Sequence, residues 1–216
     1  MRKFLLLMGP TIMIFIGLTL FENVPLTFGL FYGWLLLVPL FLRLVNKNPS
    51  KWKISITKRS IIWGASSGLV FMAIIFSLVS YLFSFLFDLE VIRSLLEKWN
   101  FDGGMLWLLI AVLIFLNPYL EENYWRNFMY EELKLSMSPG KSIFTASLFY
   151  SLYHILSLIE LFNWPFNVVA VIPVFLAGLI WGAFRHKTGS LAGPVISHVL
   201  ADAGIMMVYL VYIHVW

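Results

Sequence analysis

The sequence predicts an all-α protein, a polytopic membrane bundle of about seven transmembrane helices with a cytoplasmic N-terminus. Three observations predict it. Residues 61% hydrophobic and only 12% charged, with a mean hydropathy of +0.88, depart from a soluble domain's roughly 45–50% apolar and 25% charged. Seven apolar runs each approach the roughly 20 residues that cross a bilayer as a helix. The basic residues fall on alternate sides of those runs, as topology signals do. The spans fill the length, so residues 1–216 form a single integral-membrane domain.

In chain order the runs are Phe4–Leu20, Leu26–Val45, Ile61–Phe87, Leu106–Leu135, Ser142–Phe162, Pro165–Phe184 and Leu191–Trp216. Backbone groups in hydrocarbon must be satisfied within a segment, so all seven are helices. No stretch alternates as a membrane barrel strand does. Met1-Arg2-Lys3 before an apolar run is like a signal peptide. The run reaches Leu20, Pro10 interrupts it and no small-residue cleavage site follows, so it reads as an uncleaved first span. With the N-terminus inside, the inner segments carry Arg2, Lys3, Arg43, Lys47, Lys51, Lys53, Lys58, Arg59, Lys134, Lys141, Arg185 and Lys187. The outer loops carry only Arg93 and Lys98, and Arg126 lies within a span. That imbalance sets N-in and C-out. It also accounts for the net charge of +4 without a nucleic-acid patch. Trp52, Trp63, Trp99, Trp164 and Trp216 fall near span ends, where amphipathic rings sit at the interface.

Two connections have character. In the outer loop from Asp88 to Gly104, Ile92, Leu95, Leu96 and Trp99 share one face of a short interfacial helix ended by Asp102-Gly103-Gly104. The basic loop Lys47–Arg59 suits anionic lipid, or a solvated connector. Gly64-Ala65-Ser66-Ser67-Gly68 matches G-x-S-x-G, but no strand-turn-helix surrounds it. Its Gly64 and Gly68 have the spacing of close helix packing. With no cysteine, a thiolate metal site and a cysteine nucleophile are excluded. H-E-x-x-H is absent, and Asp202 is the single aspartate within a span.

Ionisable residues within spans are costly and mark function. A helix rises about 1.5 Å per residue, so Glu121 lies about 22 Å along the fourth span. His154 lies about 18 Å up the fifth, His198 about 10 Å and Asp202 about 16 Å up the seventh. Given the alternating directions of the spans, all four occupy one slab, from the midplane to the cytoplasmic side. Glu122 and Arg126 are i,i+4 and pair on one face as structural support. Glu121 points about 100° away, free of that pair. His198 and Asp202, like Tyr150 and His154, are also i,i+4. Two arrangements remain open. Glu121 with an opposed histidine can hold and deprotonate a water, while the second histidine donates to an oxyanion. Alternatively Glu121, His154 and His198 take three positions around a divalent metal such as zinc. Both serve amide hydrolysis. His186, His214, Glu131 and Glu132 fall near span ends, away from this slab.

The series Glu121-Glu122-x-x-x-Arg126, Tyr150-x-x-x-His154 and His198-x-x-x-Asp202 resembles the motifs of the CPBP family, the CAAX-protease and bacteriocin-processing (Abi) intramembrane proteases. Thr188-Gly189-Ser190-Leu191-Ala192-Gly193-Pro194 is also similar. The resemblance runs from Leu116 to Ile205, inside a motif-bearing core of 106–216; the first three spans are generic. It implies a glutamate-dependent endopeptidase with Glu121 as base, His154 helping to hold the water, and His198 with Asp202 stabilising the oxyanion. Glu122 and Arg126 would brace the helix. Tyr150 replaces the family's usual Phe, Asn127 a frequent Gly, and Asp202 a common Asn. A carboxylate accepts rather than donates unless protonated, so Asp202 favours orienting His198 or binding a cation.

The leading expectation is therefore an intramembrane endopeptidase in a bacterial plasma membrane. It would cut a membrane-associated peptide or protein, of leader-peptide or prenylated C-terminus type, with membrane lipid as its other partner. Behind it stand a non-catalytic bacteriocin-immunity factor or scaffold, and a small proton-linked transporter.

Overall fold

The computed structural model describes residues 2–46, 55–99, 101 and 103–214. Among them there are helices and no strands. Seven helices are long and apolar enough to cross a membrane: α1 (Arg2–Leu20), α2 (Val24–Asn46), α3 (Lys58–Tyr81), α5 (Leu106–Lys134), α6 (Pro139–Leu161), α7 (Phe166–Thr188) and α8 (Ala192–Ile213). The eighth, α4 (Leu89–Lys98), lies between α3 and α5. The fold is thus the predicted all-α membrane bundle.

Local chemistry sets the boundaries. Thr57 caps α3 by accepting from the Ser60 amide, so the helix starts three residues before the expected Ile61. It stops at Tyr81 rather than Phe87, and Phe83–Leu86 forms a separate single turn. The helix α7 runs past Phe184 to Thr188, because Gly189 supplies the left-handed stop at φ 64°. Its last turn carries Arg185, His186 and Lys187, where cations oppose the negative helix end. The expected amphipathic helix is α4, capped by the Asp88 carboxylate accepting from the Glu90 and Val91 amides. Most of the Lys47–Arg59 loop, with Trp52, Trp216 and Asp102, lies outside the described residues.

The helix α4 is fastened to the connection between α1 and α2 and to the end of α8. Arg93 Nε donates to the Ile213 carbonyl at 3.0 Å. Lys98 pairs with Glu22, between α1 and α2, at 2.6 Å. The Lys98 ammonium holds the Glu22 carboxyl below the ordinary carboxylate range.

The most extensive helix contact is α3 on α8. Small residues make it, as the spacing of Gly64 and Gly68 predicts. A methyl on Gly64 would stand 2.6 Å from the Gly193 carbonyl oxygen, and one on Gly68 2.7 Å from Leu200. Ser60 Oγ accepts from the Gly193 amide at 2.8 Å, and Ser67 Oγ donates to Ser197 Oγ at 3.0 Å. The third span therefore packs closely along the part of α8 that carries His198. A core of Leu35, Leu120, Tyr124, Trp125, Phe128 and Tyr150 joins α2, α5 and α6.

Candidate active site

The site begins on α5. Glu121 and Glu122 end a regular stretch and are followed by a π-helical one, Asn123–Met129. Such widened turns recur at functional sites, because they re-aim side chains and disturb the backbone ladder. The disturbance is repaired from α7: Arg185 Nε donates to the Arg126 carbonyl at 3.2 Å, and Arg185 Nη2 to Asn127 Oδ1 at 3.2 Å. Arg185 Nη1 also donates to the Gly189 carbonyl. Asn127, read from the sequence as a packing position, is thereby part of the seam between α5 and α7.

Both glutamates are buried, Glu122 completely so at 0% exposure. Arg126 Nη1 stands 3.0 Å from Glu122 Oε1, the predicted i,i+4 pair. Its guanidinium lies over the Tyr150 ring at 4.2 Å and near the Trp181 ring at 5.3 Å. In hydrocarbon this support matters, because an unpaired charge has no water to turn to. Glu122 does more than brace. The same Oε1 accepts from His198 Nδ1 at 3.0 Å, so the pair fixes that ring.

His198 lies between all three carboxylates. Its Nε2 is 3.8 Å from Glu121 Oε2 and 3.6 Å from Asp202 Oδ1. Trp181 stacks on its other face, with centroids 4.2 Å apart and planes at 20°. Trp181 Nε1 in turn donates to Ser197 Oγ at 2.9 Å. A neutral His198 that donates from Nδ1 would turn a bare lone pair towards two carboxylates. A proton on the ring or on either carboxyl removes that clash, so this corner of the site holds a transferable proton.

His154 is placed differently. Tyr153 interrupts α6, and His154 opens the turn after it. His154 Nδ1 is 2.9 Å from the Tyr150 carbonyl oxygen. A carbonyl only accepts, so Nδ1 carries the proton and the neutral ring keeps its lone pair on Nε2. The ring stacks on Tyr153 at 4.4 Å. Tyr150 stands between the two histidines, its centroid 4.8 Å from His154 and 6.2 Å from His198. The Tyr150 ring therefore seats Arg126 and both imidazoles, and its i,i+4 relation to His154 works through the backbone carbonyl.

The structure thus gathers Glu121, Glu122, Arg126, His198 and Asp202 in direct contact, with His154 joined through Tyr150. Tetrahedral ligands at about 2.0–2.2 Å from one metal stand about 3.5 Å from each other. Among the described residues, no carboxylate oxygen lies within 4.0 Å of a His154 nitrogen. Nor does any group of three or more His, Cys, Asp or Glu among them suit a metal ion. The set Glu121, His154 and His198 does not fit zinc as it stands. His186 and His214 lie apart from the cluster: His186 Nδ1 pairs with the Tyr130 hydroxyl at 2.8 Å, and His214 lies beside Tyr209. Glu131 contacts Lys134 and Arg185, and Glu132 contacts Arg2.

Buried polar atoms around this cluster without a hydrogen-bond partner include Glu121 Oε2, Glu122 Oε2, Tyr32 Oη, Tyr153 Oη, Trp125 Nε1 and Arg126 Nη2. Trp181 and Ser197 support the cluster from outside the three motifs. A tryptophan mid-span, away from the interfaces its kind prefers, was the available signal for Trp181.

Residues 103–204 match the model of a family described as type II CAAX prenyl endopeptidase Rce1-like. Over these residues the chain is similar to the Rce1-like family. This is the protease family group that the three motifs resemble. The Rce1-like segment takes in α5 to α8 as far as Asp202, and so holds every candidate catalytic residue. Neither a curated protein nor a solved structure matches the chain. With seven apolar helices, the chain is a multi-pass integral membrane protein, and the segment that carries the three motifs is similar to CAAX prenyl endopeptidases.

Proposed function

We propose that this Rce1-like protein is an intramembrane endopeptidase that hydrolyses a peptide bond in a membrane-associated peptide or protein. The single observation behind it is Glu121 Oε2, a carboxylate oxygen buried in a span with no hydrogen-bond partner. Leaving such a group unpaired in hydrocarbon costs several kcal/mol. A reactant that pairs with it explains its retention.

In this reading a water sits between Glu121 and the lone pair of His154 Nε2. Glu121 takes a proton from it as the oxygen attacks the scissile carbonyl carbon, making a C–O bond and an oxyanion. The C–N bond then breaks, the proton passes from Glu121 to the leaving nitrogen, and a carboxylic acid and an amine separate. Glu122, Arg126 and Trp181 hold His198, which with Asp202 keeps the transferable proton beside Glu121. The substrate classes are prenylated C-termini, which the similarity to prenyl endopeptidases favours, and leader peptides. With twelve basic residues on one side of the spans, the scissile bond would lie towards the cytoplasmic face of a bacterial plasma membrane.

The test is cleavage of prenylated and leader peptides by purified protein in detergent, with the reaction run in ¹⁸O water. The reading predicts one ¹⁸O in the new carboxylate and loss of turnover in Glu121→Ala. Cleavage that persists in Glu121→Ala overturns the base assignment. If no peptide is cut while liposomes carry a proton flux dependent on Glu121, the chain is a transporter instead.

A further inference from the structure

We infer that Tyr32, on the second span, is a further substrate-contacting residue, whose phenol donates a hydrogen bond to the carbonyl oxygen of the scissile peptide. This rests on the hydrolase reading and deepens it. Tetrahedral oxyanions need preorganised donors, and the motif histidine on α8 is not arranged as one. His198 Nδ1 is spent on Glu122 Oε1 at 3.0 Å. Any hydrogen on Nε2 faces Glu121 and Asp202, 3.8 and 3.6 Å away. Asp202 accepts when ionised. The donor must come from another group with an unused hydrogen; of the buried donors nearby, Arg126 is held by Glu122 and the Tyr150 ring, and Tyr153 and Trp125 stack on each other.

Tyr32 meets that description. Its hydroxyl oxygen is buried and has no partner. It lies within electrostatic reach of both the Glu121 and the Asp202 carboxylates, without bonding to either. The helix α2 that carries it packs on the part of α5 bearing Glu121. Its ring is fixed by Phe28 at 5.4 Å and Phe31 at 5.6 Å, and Phe31 in turn packs on Tyr153 at 5.1 Å. An unpaired phenol and an unpaired carboxylate oxygen, buried one on each of two helices packed together, suit a third polar group that bonds to both. A peptide under attack by a Glu121-bound water is such a group: water pairs with the carboxylate, and the carbonyl oxygen pairs with the phenol. A phenol keeps its proton at neutral pH, its unperturbed pKa being about 10. The inference also gives the N-terminal spans, outside the Rce1-like segment, a part in the chemistry.

Tyr32→Phe deletes the hydroxyl and keeps the ring. Losing one oxyanion donor lowers kcat by about 10²–10³-fold. We expect that loss with KM changed less than threefold and the melting temperature held. Binding of a phosphinate peptide, whose charged oxygen mimics the oxyanion, should weaken by a similar factor, and that of a matched ketomethylene peptide should not. Wild-type kcat in Tyr32→Phe, or a loss seen in Tyr153→Phe but not in Tyr32→Phe, overturns the assignment and leaves the hydrolase reading standing. Should Tyr32→Phe lose its fold, 3-fluorotyrosine at position 32 keeps the donor. Its kcat must then move with the acidity of the phenol, and an unmoved kcat overturns the assignment. A wild type that neither cuts peptides nor binds the phosphinate overturns both.

Discussion

Arg126 shows most clearly how single residues hold this site. Its guanidinium neutralises Glu122 at 3.0 Å while lying on Tyr150, and Glu122 in turn aims His198. Removing one member of a buried pair leaves the other charge uncompensated, at about 3–5 kcal/mol. Arg126→Ala should therefore lower the melting temperature in detergent steeply and release His198 with it. An unchanged melting temperature would show that the pair carries no such burden. The carboxylates and histidines were legible in the sequence, because charge stands out in an apolar span and counting residues gives its depth. The orientation of His198 was not. Which atom of a ring faces which carboxylate depends on crossing helices, and no spacing encodes it. Tyr32 was hidden for a different reason: a tyrosine in an apolar span gives no contrast until its hydroxyl is found without a partner.

At the scale of elements, the contact of α3 with α8 decides where the second half of the site stands. Gly64 and Gly193 let the two backbones touch, and the Ser67–Ser197–Trp181 chain continues the contact to the His198 ring. Gly64→Val forces a side chain against the Gly193 carbonyl, and such overpacking costs about 1–3 kcal/mol. We expect a lower melting temperature together with reduced turnover, since α8 must shift. A variant with both quantities unchanged would show that the contact is not rigid. The spacing of Gly64 and Gly68 announced a packed face, but not its partner, since every span is nearly uniformly apolar and lacks the polar-apolar contrast that reveals a buried side. The α4 clasp has its own test. The Glu22 carboxyl, held low by Lys98, should titrate closer to an ordinary carboxylate, that is at higher pH, in Lys98→Gln. Carboxyl-carbon NMR reads that midpoint, and no upward move would mean the pair does not form.

For the whole molecule, the number of spans and their order followed from hydropathy, because the bilayer fixes the length of a helix. The end points did not follow so well. Thr57, Gly189 and the break at Tyr81 act through capping and backbone geometry, which hydropathy does not register. The proposed topology, with the N-terminus cytoplasmic, predicts that a cysteine placed at Lys3 is labelled only from the cytoplasmic side and one placed at Arg93 only from the other; the reverse pattern would contradict it. In the proposed function, one buried oxygen of Glu121, without a hydrogen-bond partner, is kept for a reactant. Its most direct test is Glu121→Gln, in which kcat on a cleaved prenyl or leader peptide and melting temperature are measured on the same preparation. We predict a loss in kcat of at least about 10²-fold, the scale of general-base catalysis, with little change in melting temperature, because Glu121 Oε2 accepts no hydrogen bond and its contact with His198, at 3.8 Å, is a long one. Turnover within tenfold of wild type, or a loss that merely follows unfolding, would contradict it.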